Sequence, residues 1–410
     1  MDITSSLVKE ETWLSFLREK ASGAQVDCKQ IHNLEQFIHT QAYRPYADTV
    51  KNGGNFSAPQ KVALSKMGSD KKRIVYIFPK DERTVLKLIT FLLQRKYDYL
   101  FSKNLYSFRP GISVRNAVED LKKIPNIFQM WGYKVDIRDY FNSIPVDRMI
   151  HILHKKLPNE RKLTRFLKKL LENPEVLEDG KTINDANKGI MAGTPVSTFL
   201  ANLFLSELDW DFYRRQVPYA RYSDDIIIFA QTEDALEENI ARIHSYLSAN
   251  GLTINPKKEA RFAPGDPWIF LGFQFSRDSI DVAPVSVEKL KAKMRRKTRA
   301  LKRWSDRKSQ PGTNAAKAFI RTFNRKLFEN PIDHELTWAR WYFPMLTTTD
   351  SLQIIDHYAQ SCIRFLATGT RSKASYNFRY EDMKQLGYIS LVNRYYGQWQ
   401  KSVDSEEIVD

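Results

Sequence analysis

Tyr222-Ser-Asp-Asp225 runs directly into Ile226-Ile-Ile-Phe229. Two adjacent carboxylates at a tight turn between apolar strands repel each other, and burying them costs free energy unless a cation sits nearby. Hard divalent cations, which prefer oxygen ligands, meet that need. A solvated Ser-Asp-Asp turn is the plainer alternative, because Ser and Asp favour turns on their own account. A second segment bears on the choice. In Val135-Asp-Ile-Arg-Asp-Tyr-Phe-Asn-Ser-Ile144, Asp136 lies on a short apolar strand where an ordinary surface acid would be out of place. If that strand pairs beside the Ser-Asp-Asp hairpin, three carboxylates converge and can hold two Mg²⁺ ions roughly 4 Å apart. One ion would activate a hydroxyl nucleophile, and the other would hold a triphosphate and stabilise leaving pyrophosphate. Asp139, flanked by Arg138 and Tyr140, is the alternative ligand.

Elements must be present to position these groups. Trp13, Phe16, Leu17, Leu34, Phe37 and Ile38 recur at helical spacing, so residues 1–70 read as helix and then loop. Lys51-Asn-Gly-Gly-Asn-Phe-Ser-Ala-Pro59 breaks any element. Strands are expected at 73–79, 133–137 and 270–275, with a strand pair at 219–229. Helices are expected at 82–100, 114–124, 148–157, 160–171 and 197–215, and at 232–250 with Gly251 as its left-handed stop. Tyr106-Ser-Phe-Arg-Pro-Gly111 and residues 189–195 read as loops. From about 285 strand signals vanish and basic amphipathic helices take over, which places a boundary at 276–286. Residues 401–410 read as a loose tail.

The bulk numbers favour a polyanionic partner. The chain of 410 residues carries 64 Lys and Arg against 48 Asp and Glu, a net charge of +16. Such a field draws in nucleic acid first and an acidic membrane surface second, with plain solubility as the bland reading. Residues 289–303 hold nine basic and no acidic side chains. A helix with that face tracks a phosphate backbone, and Lys289, Lys293, Arg296, Lys297 and Arg299 are its candidate contacts. Trp338, Trp341, Tyr342, Tyr395, Tyr396 and Trp399 read as core, with one or two free to stack on bases. Cys28 and Cys362 alone cannot make a disulfide framework or a cysteine-ligated zinc site, and fit a reducing cytoplasm. The first residues do not read as a signal peptide, and no apolar run approaches a membrane span.

Taken in order, these segments resemble the reverse transcriptases. Asp136 matches motif A of that family and Tyr222-Ser-Asp-Asp225 its Tyr-x-Asp-Asp box. Gly193-Thr-Pro-Val-Ser-Thr-Phe-Leu-Ala-Asn-Leu203 resembles motif B, Gly251-Leu-Thr-Ile-Asn-Pro-Lys-Lys258 motif D, and Phe270-Leu-Gly-Phe273 motif E. Tyr106-Ser-Phe-Arg-Pro-Gly111 is similar to the Tyr-Gly-Phe-Arg-Pro-Gly fingers segment of group II intron and retron enzymes. The likeness spans about 70–275. It implies an α+β right hand, with fingers and palm at 71–280, an α-helical thumb at 281–400 and an N-terminal helical extension at 1–70.

It also implies roles. Asp136, Asp224, Asp225 and the main chain of Ile137 would hold two Mg²⁺, with Mn²⁺ as the alternative. Lys258 would protonate pyrophosphate, or else is a surface lysine beside Lys257. Phe141 would gate against a ribose 2′-hydroxyl, or else is core. Arg73 and Arg83 would clamp triphosphate, an assignment shared with Lys71 and Lys72. Pro195, Ser197 and Tyr222 would line the nucleotide site, and Arg109 would pin the fingers loop or touch template phosphate. Pro195-Val-Ser197 departs from the common Pro-Gln-Gly, which puts the usual template–dNTP contact in doubt. No RNase H, integrase or HNH segment is read. The resemblance therefore leans toward the bacterial defence-associated reverse transcriptases, near retron and abortive-infection enzymes. The expected partners are an RNA template, a dedicated noncoding one, together with dNTPs and the cDNA product. A retron-type enzyme making msDNA, a template-independent polymerase and a silent RNA-binding module stay open.

Overall fold

A computed structural model describes residues 2–22, 28–65, 72–328 and 337–398. Lys71, Trp399 and the tail at 401–410 lie outside the described residues. The strands in chain order are β1 (Gln60–Ser65), β2 (Lys72–Ile77), β3 (Trp131–Asp136), β4 (Glu175–Glu178), β5 (Lys181–Asn184), β6 (Tyr219–Tyr222), β7 (Asp225–Ala230), β8 (Ala260–Phe262), β9 (Trp268–Phe270), β10 (Phe273–Phe275) and β11 (Ile280–Val282). The chain divides into two compact units, Met1–Asp266 and Pro267–Asp410.

In the first unit the key sheet runs β6-β7-β3-β8, all antiparallel. β7 is buried on both faces, with Ile226, Ile227 and Ile228 fully enclosed. Its unbroken apolar run is what a doubly covered central strand needs, and each such side chain contributes ~1.5–3 kcal/mol through burial. Helix Glu233–Ala249 packs on β3 and β7. It starts at Thr232, whose side chain accepts from the Ala235 N–H, and is followed by Gly251 at φ +74°.

A second sheet, β2-β1-β4-β5, joins β1 to β4 in parallel at Gln60 and Leu177. Neither β1 nor the β4–β5 pair is legible in the sequence. Helix formation at 197–215 is interrupted: two helices, Ser197–Phe204 and Ser206–Arg214, meet at Leu205, where Ser206 Oγ donates to the Leu203 carbonyl.

The described residues among the first 65 are built into this unit. Trp13 packs edge-on to Phe37 and tilted against Tyr43, with ring centroids 5.6 and 4.9 Å away, and its indole N–H donates to Leu7 O. The Ile3 N–H donates to the buried Glu160 carboxylate at 2.8 Å. Lys96 Nζ and the Tyr97 hydroxyl donate to the other oxygen of Glu160, at 2.6 and 3.0 Å.

The second unit opens with the sheet β11-β10-β9 and continues in helices, chiefly Pro284–Arg307, Gly312–Leu327, Asp350–Thr368 and Leu391–Gln398. Met294, Phe319, Phe323 and Ile363 are buried among them. The buried Asp356 carboxylate accepts from the Leu391 and Val392 N–H groups and fixes the start of the last helix. The single strand expected at 270–275 is instead the β9–β10 hairpin. Its turn, Leu271-Gly272, has φ +53° and +87°, and a Cβ at Gly272 would sit 2.7 Å from the Tyr342 hydroxyl. The division between the units falls before β9, earlier than the 276–286 expected from composition, because these short strands pair only with one another. The α+β architecture with small antiparallel sheets and a helical C-terminal region holds. No described helix is long and apolar enough to cross a membrane.

Candidate active site

The register of three strands brings the carboxylates together. Tyr222 pairs with Asp225 across β6 and β7, which leaves Ser223-Asp224 as the turn, and Ser223 takes φ +61°. On the neighbouring strand Asp136 is paired with Asp225. Directly opposed residues in an antiparallel pair face the same side. The Ile137 N–H donates to Asp224 O at 3.1 Å and ties the turn to the end of β3. Residues 253–258 run alongside: Asn255 N–H donates to Asp136 O at 2.8 Å, and Arg138 N–H to Thr253 O at 2.8 Å.

Electrostatics at this end of the sheet are strained. Burial pushes the Asp225 carboxyl up to about 6; the Lys134 ammonium, 3.2 Å from Oδ1, pulls the other way, and Asp224 and Asp136 add to the rise. Burial and then the Asp136 charge raise Asp224 as well. Lys258 Nζ donates to Asp136 Oδ2 at 2.6 Å, and Asn255 Nδ2 donates to Oδ1 at 3.3 Å. Among the described residues no three acidic, histidine or cysteine side chains are close enough to enclose one ion as they stand. The donor chemistry nonetheless fits hard divalent cations. Three oxygen-only groups crowd one sheet end, and the two ammonium groups already drawn to them show that positive charge is what they require.

Around this centre the other candidates sort themselves. Phe141 is half-buried on the short helix Tyr140–Ser143, edge-on to Phe108 with centroids 6.4 Å apart. Tyr222, also half-buried, is 6.4 Å from the same Phe108 ring. Phe108, at φ +53°, thus bridges two residues the sequence picked out, and no spacing rule signals it. Arg73 is exposed on β2, and its charge lowers the Asp224 carboxyl. Burial, then the Arg83 and Lys20 charges, lowers the Lys87 ammonium, so Arg83 bears on this lysine. Pro195 is partly exposed.

One assignment needs correction, and another settles on the first of its two alternatives. Ser197 is fully buried and donates to the carbonyls of Ile190 and Met191, so its hydroxyl shapes the preceding loop and is not free for a nucleotide. Arg109 grips both Asp98 oxygens at 2.8 Å and donates to Ser102 O and Leu105 O. Its guanidinium pins the loop, the first of the two roles expected for it. In the second unit, Lys289, Arg296 and Arg299 are exposed on Pro284–Arg307, while Lys293 and Lys297 are half-buried. Burial, then Lys326, Arg296 and Lys289, lowers the Lys293 ammonium.

Behind the turn lies a polar core that sequence reasoning missed. Arg221 and Asp209 form a fully buried ion pair, with Nε–Oδ1 at 2.7 Å and Nη2–Oδ2 at 2.5 Å. The Tyr219 hydroxyl donates to the same Asp209 Oδ1 at 2.7 Å. Arg221 also donates to Ser223 O at 3.0 Å and Asn202 O at 3.2 Å. An arginine inside the apolar run Tyr219-Ala-Arg-Tyr222 was the one available signal.

Residues 63–275 match the family described as reverse transcriptase (RNA-dependent DNA polymerase). The "Uncharacterized 91 kDa protein in cob intron" of Schizosaccharomyces pombe is 26% identical over 235 residues, covering 52% of this chain and 28% of that protein. The "Putative COX1/OXI3 intron 2 protein" of Saccharomyces cerevisiae is 27% identical over 162 residues, covering 40% and 18%. The chain thus spans less than a third of these two relatives. The "Retron Ec86 reverse transcriptase" of Escherichia coli is 24% identical over 236 residues, covering 56% of this chain and 67% of that protein. Among solved structures, apo telomerase from Candida tropicalis overlaps 87% of this chain and 74% of its own, with TM-score 0.48 and 11% identity.

Proposed function

This chain belongs to the reverse transcriptase family, and on that premise we propose that it is an RNA-directed DNA polymerase acting through the carboxylates of Asp136, Asp224 and Asp225. The observation that carries the reading is the β3–β7 register, which sets Asp136 opposite Asp225 and beside the Ser223-Asp224 turn. The three carboxylates, with the main chain of Ile137, would hold Mg²⁺. When bound, the ions supply activation of the 3′-hydroxyl and charge stabilisation on the triphosphate.

The chain's own residues do the rest. Arg73, whose charge already reaches Asp224, offers a planar donor pair to triphosphate oxygens. Phe141, backed by Phe108, excludes a 2′-hydroxyl by contact. Lys258, 2.6 Å from Asp136, holds a proton beside the centre and delivers it to the leaving pyrophosphate. The basic helix Pro284–Arg307 neutralises the phosphates of the template–product duplex. The template we favour is a dedicated noncoding RNA, copied in the cytoplasm in defence against phage. Support for that finer reading is the departure at Pro195-Val-Ser197 and the likeness to a retron enzyme. A retron-type product, msDNA, is the nearest alternative.

The test uses purified protein with a primed RNA template, Mg²⁺ and labelled dNTPs, with and without RNase. RNase-sensitive synthesis that disappears in Asp224→Asn/Asp225→Asn, while RNA binding and the unfolding midpoint persist, is expected. Synthesis that survives RNase would move the reading to untemplated polymerisation. RNA binding with no synthesis under any condition would move it to a binding module.

A further inference from the structure

The turn that carries Asp224 is held by a side chain from a distant loop. Ser223 sits in the left-handed region at φ +61°, where a residue other than glycine persists only when its surroundings hold it. Its two main-chain groups are both gripped. Its carbonyl accepts from Arg221 at 3.0 Å. Its N–H donates to Ser107 Oγ at 2.8 Å, across 116 residues of sequence.

Ser107 is itself fully buried and fully used. Its hydroxyl donates to Asn202 Oδ1 at 3.2 Å, and Asn202 Nδ2 returns a bond to Ser107 O at 2.7 Å. That exchange fixes the direction of the hydroxyl, leaving a lone pair aimed at the turn. The main chain on either side is clamped too: Tyr106 N–H donates to Arg221 O, and Arg221 N–H to Asn104 O. Next in sequence, the Phe108 ring lies against both Phe141 and Tyr222. The segment resembling Tyr-Gly-Phe-Arg-Pro-Gly has serine at its second position here, so this chain supplies a hydroxyl where glycine has none.

We infer that Ser107 is a positioning residue for polymerisation, whose hydroxyl, oriented by Asn202, fixes the Ser223-Asp224 turn and so sets the place of the Asp224 carboxylate. The inference rests on the polymerase reading for its kinetic part only. Removing the hydroxyl leaves the buried Ser223 N–H without an acceptor, and the turn gains freedom that the rest of the sheet does not.

The experiment compares wild type with Ser107→Ala and Ser107→Cys in the full chain. Hydrogen–deuterium exchange is read on peptides covering residues 219–226, with β3 peptides as the internal reference. Single-nucleotide addition on primed RNA is read as kcat and KM for dNTP. The expected result for Ser107→Ala is exchange at 222–225 faster by roughly tenfold, β3 unchanged, and kcat lower by roughly tenfold with KM within about twofold. Ser107→Cys, a weak acceptor, should fall between, and it stands as the test if the alanine variant does not fold. Unchanged exchange at 222–225, or equal acceleration throughout β3, overturns the clamp. Faster exchange with unchanged kcat overturns the positioning role. If the wild type makes no DNA at all, the polymerase reading fails, while the exchange result still decides the clamp.

Discussion

Asp209→Ala isolates the buried ion pair beneath the Ser223-Asp224 turn. In the native chain the Arg221 guanidinium makes four hydrogen bonds, two to Asp209 and two to the carbonyls of Ser223 and Asn202. The substitution removes the two charged ones and takes the acceptor from the Tyr219 hydroxyl as well. Both ion-pair side chains are 0% exposed, so water has no ready path to the orphaned cation. Breaking a buried pair on one side costs about 3–5 kcal/mol, because the remaining charge is uncompensated. Against a typical total of ~5–15 kcal/mol, that is a large share of stability. Removing both charges with shape-matched apolar residues, Asp209→Leu with Arg221→Met, leaves no bare charge and should cost less than Asp209→Ala alone. The assay is urea unfolding followed by circular dichroism and tryptophan fluorescence, with the single and double variants compared side by side. A loss under about 1 kcal/mol for Asp209→Ala would refute the reasoning, as would a double variant less stable than the single one.

Three further outcomes are expected. Phe141→Ala should narrow the dNTP-to-rNTP ratio of kcat/KM by roughly 10–200-fold, the discrimination a hydrophobic pocket gives against one small group; an unchanged ratio would sink the gate assignment. Neutralising Lys293, Arg296 and Lys297 to Gln should flatten the plot of log affinity against log salt by ~0.7–0.9 for each phosphate that is no longer neutralised, and an unaltered slope would remove this helix from the nucleic-acid surface. Lys188 provides a pH test. Burial pulls its ammonium from 10.5 down to about 8, with Asp185 opposing, and it donates to Asn173 O. The folded state therefore releases this proton before the unfolded state does, so stability rises with pH between about 8 and 10.5. Lys188→Met should lack that rise, whose size is at most about 3 kcal/mol, as measured by urea midpoints at pH 7.5 and 10.

The candidate site's carboxylates were legible because their residue types stand out locally. Carboxylates at 136 and 224–225 stand out against apolar strands, and helix 233–249 is marked by Thr232 and Gly251 at its ends. What stayed hidden is non-local. β1 meets β4 more than a hundred residues away in sequence, and neither strand has enough alternation to announce a partner. The β9–β10 turn depends on two positive φ angles within a run that reads as one strand. Ser197 and Arg109 have the residue types that meet ligands, yet each is consumed by carbonyls or by Asp98, and only coordinates reveal such saturation. Ser107, Asn202 and Asp209 are ordinary polar residues in sequence, and their importance comes from being enclosed together.

The Ile3–Glu160 bond has a consequence for the timing of synthesis. At ~5–20 residues per second, a ribosome takes on the order of ten seconds or more to make the 157 residues from Ile3 to Glu160. Until then the first helix has no carboxylate to receive its N–H, and Lys96 and Tyr97, already made, lack the same acceptor. Helix Glu10–Ser22 already has helix Lys80–Lys96 to pack on, with the Phe16 and Phe91 rings 5.2 Å apart, so only the charged cluster is left waiting. Closure of the Glu160 cluster is thereby deferred to the arrival of the middle of the chain, after the earlier aromatic contacts have their partners.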